Sequence, residues 1–344
     1  MNTGTDLLSL LHHYAASDDQ QPWLAATVVT KHRSSYRKPG ALMLVDPFGR
    51  TFGLISGGCL EADIVLQSKK VLFDGQARLV VYDSTEDGNI AAELGLGCNG
   101  RVSVLIQLLT TAHRAVLLAL RTRLLDGRDA HLLQCFASDD PGDLAGLTLL
   151  DEHLTPALSA HESPLPALSS AKPPTVLSDG ARQWALTRQR APINLWIIGG
   201  GIDAEPVASI AVMLGWRVTV VDHRAAYGRD NRFPGVEHIV RDKADDFIGR
   251  IDADAVILMS HNLDMDAAWL AHCRPVPRLR YIGLLGPVQR RDDVIALSGL
   301  DPDAHPVTLV HGPMGLDIGG ELPESIAVSV IAQCHQVLAH QHRL

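Results

Sequence analysis

Apolar positions in the first hundred residues follow the two-residue period of strands, with one stretch at helical spacing. β-branched and apolar runs bounded by turn residues predict strands, and the spacing of Leu, Ile and Val over residues 60–75 predicts a helix. The predicted strands are LAATVVT (24–30), ALMLVD (41–46), TFGLIS (51–56), RLVVYD (78–83) and VSVLIQLL (102–109). This mixture indicates an α+β domain over residues 1–110.

The pattern changes after residue 191. Four nearly continuous apolar runs are each followed by a stretch at helical spacing, which is typical of a parallel sheet covered by helices on both faces. The runs are NLWIIG, RVTVVD, DAVILMS and RLRYIGLLG, and the last predicted helix is PESIAVSVIAQCHQVLAH. We therefore expect a separate α/β domain over residues 191–344.

Residues 111–190 carry a weaker pattern. AVLLALRTRLLDG predicts a helix, and two short strands are predicted around Cys135 and over residues 147–150. Residues 152–178 contain five prolines among many Ser and Ala residues, a composition typical of linkers. We interpret residues 111–190 as an extension followed by a linker.

Composition and charge narrow the classes of partner. The 344 residues are 46% hydrophobic and carry a net charge of −9, so a nucleic acid or an anionic membrane is a poor partner. The N-terminus lacks the basic start and apolar core of a signal peptide. The five cysteines are odd in number and form no C-x-x-C pair, which favours a reducing compartment. We expect a cytoplasmic protein, and a homodimer is compatible with the sequence.

A glycine motif follows the first strand of the second half. The sequence GGGIDA fits G-x-G-x-x-A, in which Gly199 would form the tight turn and Gly201 would let a ligand approach the backbone. Asp222 ends the next strand, where an acid normally holds a ribose hydroxyl. These features predict a Rossmann-type domain and make NAD(P) a candidate ligand. Asp203 and Glu205 at the start of the following helix should nevertheless disfavour a phosphate there.

His261 follows a later strand of the same predicted sheet. Ligands of open parallel sheets bind at the carboxyl ends of the strands, so His261 is a candidate for proton or ligand contacts. The alternative is a histidine whose nitrogens are bonded by neighbouring loops.

Two loops present cysteines beside glycines. Cys59 follows Gly57 and Gly58 between a predicted strand and a helix, a position that stabilises a thiolate. Glycines there leave backbone N–H groups open to a bulky ligand. Gly97 and Cys98 repeat the arrangement before another strand. The alternative is that each cysteine is a small buried side chain.

The connection over residues 31–40 is basic. It carries four Lys and Arg residues within eight positions, so it could bind an anionic group or be a solvated loop.

Motifs in both halves resemble one known family. Those of the first half are SYRKPGALMLV, GLISGGCLEADI, YDSTEDG and LGLGCNG. Those of the second half are GGGIDAEPVASIA, GWRVTVVDHR, YIGLLG and GPMGLDIGGELPESIA. Together they are similar to the xanthine dehydrogenase accessory proteins of the XdhC/CoxI family.

The resemblance implies a maturation factor that is not itself catalytic. Such proteins bind a molybdopterin-type molybdenum cofactor, protect it while its terminal sulfur is installed, and insert it into an apo molybdenum hydroxylase of the xanthine dehydrogenase type. A cysteine desulfurase is a further implied partner. The positions that match the family's cofactor loops are Ser56, Gly57, Gly58, Cys59, Glu61, Gly97 and Cys98. The two cysteines would contact molybdenum or its sulfur, and Gly199, Gly201, Asp222 and His261 are the candidates of the Rossmann half.

Two other classes stay open. Asp222 favours an NAD(P)-dependent oxidoreductase, whereas the absence of a Tyr-x-x-x-Lys pair argues against one common type. A regulatory protein that senses a nucleotide is the third class.

Overall fold

The computed structural model describes residues 6–18, 20–33, 37–84, 100–160, 166–168 and 171–341. The chain divides into two compact units, Met1–Ala191 and Pro192–Leu344.

The first unit begins with a five-stranded antiparallel sheet. Its spatial order is β3-β2-β1-β5-β4, formed by β1 (Leu24–His32), β2 (Leu42–Val45), β3 (Thr51–Gly53), β4 (Arg78–Asp83) and β5 (Arg101–Leu108). Helix α1 (Leu7–Ala15) precedes the sheet, and α2 (Glu61–Asp74) follows β3. Helix α2 ends at Gly75, whose φ of 71° gives the left-handed conformation that commonly closes a helix.

A second antiparallel sheet completes this unit. Helix α3 (Thr111–Leu125) leads into β6 (Ala130–Ser138), β7 (Leu147–Leu150), β8 (Pro156–Ser159), β9 (Thr175–Ser178) and β10 (Arg182–Gln189), in the spatial order β8-β7-β6-β10-β9. A 3-10 helix lies at Pro141–Ala145. The stretch 152–178, expected to be a linker, therefore contains β8 and β9, both at edges of the sheet.

One apolar cluster connects the two sheets of the first unit. It contains Leu10 of α1, Leu44 of β2, Leu117 of α3 and Leu149 of β7, each at most 2% exposed. The domain boundary at residue 110 stays a prediction from the sequence. This apolar cluster contains residues from both sides of that boundary.

The second unit is the Rossmann-type fold that the sequence predicts. Its parallel sheet has the order β13-β12-β11-β14-β15-β16. The strands are β11 (Asn194–Ile198), β12 (Arg217–Val221), β13 (His238–Val240), β14 (Ala255–Leu258), β15 (Tyr281–Leu284) and β16 (Val310–His311). The helices are α4 (Ala204–Met213), α5 (Leu263–His272), α6 (Val288–Leu297), α7 (His305–Thr308) and α8 (Pro323–Gln341), with 3-10 helices at Asp230–Arg232 and Ala244–Asp246.

Both faces of this sheet are covered. In β11, Leu195 and Ile197 pack into a cluster that also contains residues of α4 and α8. The alternate residues Trp196 and Ile198 pack with residues of α5 and α6 on the other face. Because successive side chains of a strand point to opposite faces, the unbroken apolar run LWII requires this two-sided burial. Over the described ranges, every helix is too short or too polar to span a bilayer.

Candidate functional site

Three loops that the sequence singles out leave from one end of the first sheet. His32, at the start of the basic connection, pairs with Arg101 at the start of β5, and Asp83 at the end of β4 pairs with Arg101 as well. Gly53 at the end of β3 pairs with Met43, so β3 runs out toward the start of β2. Because neighbouring strands are antiparallel, the basic connection, the Cys59 loop and the segment entering β5 share this end.

The loop that contains Gly97 and Cys98 lies outside the described residues, but its two ends are described. The Ser84 N–H donates to the Gly100 carbonyl at 3.0 Å, and the Gly100 N–H donates to Ser84 Oγ at 2.9 Å. The segment 85–99 therefore begins and ends at the same point of the sheet.

The Cys59 loop is organised around Ser56 and Glu61. The buried Ser56 hydroxyl donates to Glu61 Oε2 at 2.5 Å and accepts from the N–H groups of Gly58 and Leu60 at 3.2 and 3.0 Å. Glu61 Oε1 accepts from the N–H groups of Ile55 and Ser56 at 3.1 and 2.7 Å. These contacts satisfy both side chains inside the loop and fix the path of the backbone before α2.

Glu61 stays charged in this arrangement. Burial opposes the carboxylate, but the hydrogen bonds from the Ser56 hydroxyl and from backbone N–H groups outweigh it and hold the pKa of Glu61 below its ordinary value. Asp63, in the same first turn, accepts from the Tyr82 hydroxyl at 2.7 Å. Burial, followed by this hydrogen bond, raises the pKa of Tyr82. Two acidic residues thus occupy the N-terminal turn of α2 and disfavour an added anion there.

Gly57, Gly58 and Cys59 are the part of the loop open to a ligand. Both glycines are exposed and Cys59 is half-buried, two residues before the first residue of α2. Gly58 has a φ of +109°, and a Cβ atom there would meet no heavy atom within 4 Å. The loop therefore leaves open space at Gly58, the residue that precedes Cys59.

The other described cysteines, Cys135, Cys273 and Cys334, lie in the core. Burial raises the pKa of Cys135 to about 11 and that of Cys273 to about 12, and it also raises the pKa of Cys334. Within the described ranges, no cluster of three His, Cys, Asp or Glu side chains is arranged to hold a metal ion. Among the four described cysteines, Cys59 alone is accessible.

The glycine motif of the second unit forms a closed turn. Gly199 has a φ of +109°, and a Cβ atom there would lie 2.5 Å from the Met259 carbonyl oxygen, so only glycine fits. At Gly201 a Cβ atom would meet nothing within 4 Å. The first glycine therefore shapes the turn, and the space is open at the third.

Asp222 is occupied by protein groups. Its Oδ2 accepts from the Gly200 N–H at 2.8 Å and from Arg224 Nη2 at 2.7 Å, and its Oδ1 accepts from Arg224 Nε at 2.9 Å. Burial opposes ionisation, but these hydrogen bonds outweigh it and lower the pKa of Asp222. The Arg224 guanidinium lies 4.0 Å from the centre of the Tyr227 ring. Arg224 thus makes the contacts that a ribose would make in a dinucleotide-binding domain.

The first turn of α4 holds two acids, each with a basic partner. His261 Nε2 lies 3.0 Å from Asp203 Oδ2, with the His261 backbone at a φ of 61°. Arg232 Nε donates to Glu205 Oε1 at 2.7 Å. Since no side chain caps this helix and its acids remain beside it, its N-terminus is a poor phosphate site.

Two features of the sites carry little signal in the sequence. Asp266 is fully buried after β14, where it accepts from Arg290 Nη2 and from Ser260 Oγ, both at 2.6 Å. Burial outweighs these contacts and raises the pKa of Asp266. Gln189 donates to the Gly40 carbonyl at 3.3 Å across 149 positions, which brings the end of β10 to the basic connection. Contacts of such sequence separation leave no local pattern.

Comparison with known families identifies both units. Residues 195–334 match the model described as the XdhC Rossmann domain, and residues 16–83 match the XdhC and CoxI family. The chain belongs to the XdhC and CoxI family, as the motifs predict.

Individual relatives extend over nearly the whole chain. The chain is 29% identical over 334 residues to a protein from Bacillus subtilis described as a probable subunit of xanthine dehydrogenase, covering 94% of this chain and 95% of that protein. It is 25% identical over 321 residues to the molybdenum cofactor insertion chaperone PaoD from Escherichia coli, covering 92% and 83%. A crystal structure described as a xanthine dehydrogenase from Bacillus halodurans matches with a TM-score of 0.79 and 28% identity, over 98% of this chain and 96% of that one.

Proposed function

We propose that this protein is an insertion chaperone for the molybdenum cofactor of a xanthine dehydrogenase-type hydroxylase. It would hold the cofactor while the terminal sulfur is installed and then pass it to the apo-enzyme. The observation that carries the proposal is the accessible Cys59 on an exposed glycine loop, in a chain similar along most of its length to a chaperone of this kind.

The loop suits this cargo chemically. A thiolate is a soft ligand that matches a molybdenum or sulfur centre. Gly57 and Gly58 are exposed and lack side chains, so a bulky group can approach the loop backbone and the sulfur of Cys59. The cofactor supplies the redox chemistry of the client enzyme, and the residues of this chain bind it, orient it and release it.

Within this proposal the matching residues divide into two roles. Cys59, Gly57 and Gly58 contact the cofactor, whereas Ser56 and Glu61 position them, because their polar atoms are bonded within the loop. Gly97 and Cys98 are proposed as the second set of contacts, since the segment that carries them starts and ends at the same end of the sheet.

The Rossmann half is proposed as a weaker contributor to ligand binding. Gly201 has open space and His261 is exposed, so both could contact a ligand, whereas Gly199 shapes the turn and Asp222 is held by Arg224. This occupation of Asp222 argues against the alternative of an NAD(P)-dependent oxidoreductase.

The proposed partners are an apo molybdenum hydroxylase of the xanthine dehydrogenase type and a cysteine desulfurase that supplies the sulfur. We propose the cytoplasm as the compartment, where a free thiol such as Cys59 stays reduced. A homodimer stays an expectation from the sequence.

The test is to co-express the chain with cofactor biosynthesis and to measure its molybdenum and pterin content. The wild type should carry both. Cys59→Ser replaces a soft ligand by a hard one of similar size, so it should lose most of the cofactor and fail to activate an apo-hydroxylase while keeping its melting temperature. Cys98→Ala should have the same effect more weakly.

Two results would count against the proposal. A wild-type protein without molybdenum or pterin would overturn the function itself. Full cofactor retention in a Cys59→Ala, Cys98→Ala double variant would leave the function but remove these thiols from it.

A further inference from the structure

A groove opens beside the basic connection of the first unit. Its volume is about 340 Å³, and its walls come from both sheets of that unit. The residues that line it include Arg37, Lys38, Gly40, Leu42, Arg188 and Gln189.

Three basic side chains line the groove, in a chain whose net charge is −9. Lys38 is exposed, and no ion pair is formed by it among the described residues. Arg188 shares its charge with Asp129, whose Oδ2 lies 2.7 Å from Arg188 Nη2. Arg37 is the third basic side chain of the lining.

A close contact across the two sheets fixes the floor of the groove. Gly40 has a φ of +94°, and a Cβ atom there would lie 2.9 Å from both Thr187 Cβ and Gln189 Nε2. Gln189 Nε2 donates to the Gly40 carbonyl at 3.3 Å. This contact holds the backbone near Lys38 against the end of β10. The contact therefore fixes the position of the groove wall that carries Lys38.

The groove and the Cys59 loop lie at the same end of the first sheet. β3 leaves its pairing with β2 at Gly53 and continues toward the start of β2, where Ala41 lies. Ala41, Ile55 and Leu60 pack in one apolar cluster, which joins the groove wall to the base of the loop.

We propose that this groove binds a phosphate group, namely the phosphate end of the pterin cofactor whose sulfur end Cys59 contacts. The inference rests on the proposed function. Lys38 and Arg188 would provide charge-assisted hydrogen bonds to the phosphate oxygens. The helix N-termini beside the two glycine loops are poor alternatives, because Glu61 and Asp63 occupy one and Asp203 and Glu205 the other.

The first measurement uses inorganic pyrophosphate and the full chain. Calorimetry should detect binding to the wild type that weakens with added salt. Lys38→Glu, an exposed position, should weaken it by about tenfold or more. Lys243→Glu makes the same charge change at an exposed lysine of the second unit and should leave it unchanged. Absence of binding to the wild type, or equal binding to wild type and Lys38→Glu, overturns the inference.

The second measurement is the pterin content of the same proteins after co-expression. Lys38→Glu should carry several-fold less pterin than wild type or Lys243→Glu, with Cys59 intact and an unchanged melting temperature. If pyrophosphate binding is lost but pterin is fully retained, the groove binds free anions and the assignment to the cofactor is wrong. A wild type that binds pyrophosphate but never carries pterin shows that the proposed function has failed, and with it the assignment of the phosphate.

Discussion

Gly58 and Gly199 share one backbone angle, a φ of +109°, in very different surroundings. A side chain at Gly58 would meet open space, whereas one at Gly199 would meet the Met259 backbone. The polar groups follow the same contrast. Around Gly199 the acids Asp222, Asp203 and Glu205 each have a basic partner, whereas the Cys59 loop presents exposed backbone and a half-buried thiol.

The comparison separates a glycine that shapes a turn from a glycine that opens a surface. The sequence motifs alone do not distinguish these two kinds of glycine. The contacts show room beside Gly58 and none beside Gly199, so of the two outer glycines of the Rossmann motif only Gly201 is open.

The strongest test of this comparison is to substitute alanine at both glycines. Gly199→Ala adds a backbone clash to a strained φ and should destabilise the second unit by about 3 kcal/mol or more. Gly58→Ala adds the strain alone and should cost the first unit about 1–2 kcal/mol. Denaturant unfolding measures both, with hydrogen exchange to assign each loss to its unit. If both variants lose the same free energy of unfolding, the space beside Gly58 is occupied in solution.

Thiol reactivity tests the accessibility of the first loop. Iodoacetamide at pH 8 should label Cys59 about tenfold faster or more than Cys135 or Cys273, because burial raises the pKa of those two thiols to about 11 and about 12. Peptide mass spectrometry over time follows each cysteine separately. Labelling of Cys135 as fast as Cys59 would contradict the buried and open assignments.

Nucleotide binding tests whether the Rossmann glycine motif and Asp222 are unavailable to a dinucleotide. Because Arg224 occupies Asp222 and acids line the start of α4, NAD and NADP should bind with a Kd weaker than about 0.1 mM, or about −5.5 kcal/mol. Arg224→Ala should tighten NAD binding severalfold by freeing the carboxylate. Arg217→Ala, which breaks an ion pair with Glu237 elsewhere, is the control. Micromolar binding by the wild type would favour the oxidoreductase.

The smallest expected effect concerns the charge of Glu61. Its folded pKa lies below the ordinary 4.5, so its contribution to stability is present above pH 4.5 and is lost as the pH falls through the folded pKa. Glu61→Gln should cost about 1 kcal/mol at pH 7, since solvent screens a partly exposed carboxylate. Denaturation at pH 7 and near pH 3.5 should show the gap between variant and wild type shrinking. A gap independent of pH would assign the loss to shape instead of charge.

Much of the fold follows from local pattern. The run NLWIIG and the glycines after it predict β11 and the turn to α4, because a strand buried on both faces must be apolar throughout. Helix α2 is predicted up to Gly75, where the left-handed C-cap ends it. Strands β8 and β9 are not predicted: they lie at sheet edges, all four residues of β8 are exposed, and β8 begins at Pro156.

The site is only partly encoded in local pattern. The sequence predicts Cys59 beside glycines before a helix, and the structure has that arrangement. The hydrogen bonds from Arg224 to Asp222 are not predicted. An acid followed two positions later by an arginine is equally compatible with a carboxylate that is free to bind a ribose. The presence of Arg188 and Lys38 in one groove depends on how the two sheets pack, and periodicity along the chain does not predict it.

The paired hydrogen bonds between Ser84 and Gly100 have a consequence for how such proteins can diverge. These bonds end the pairing of β4 and β5 at Ser84 and Gly100, on either side of the fifteen residues 85–99. Changes of length or sequence between these two residues leave the register of the sheet intact. Gly97 and Cys98, proposed as cofactor contacts, are the positions of that segment at which divergence would change the cargo.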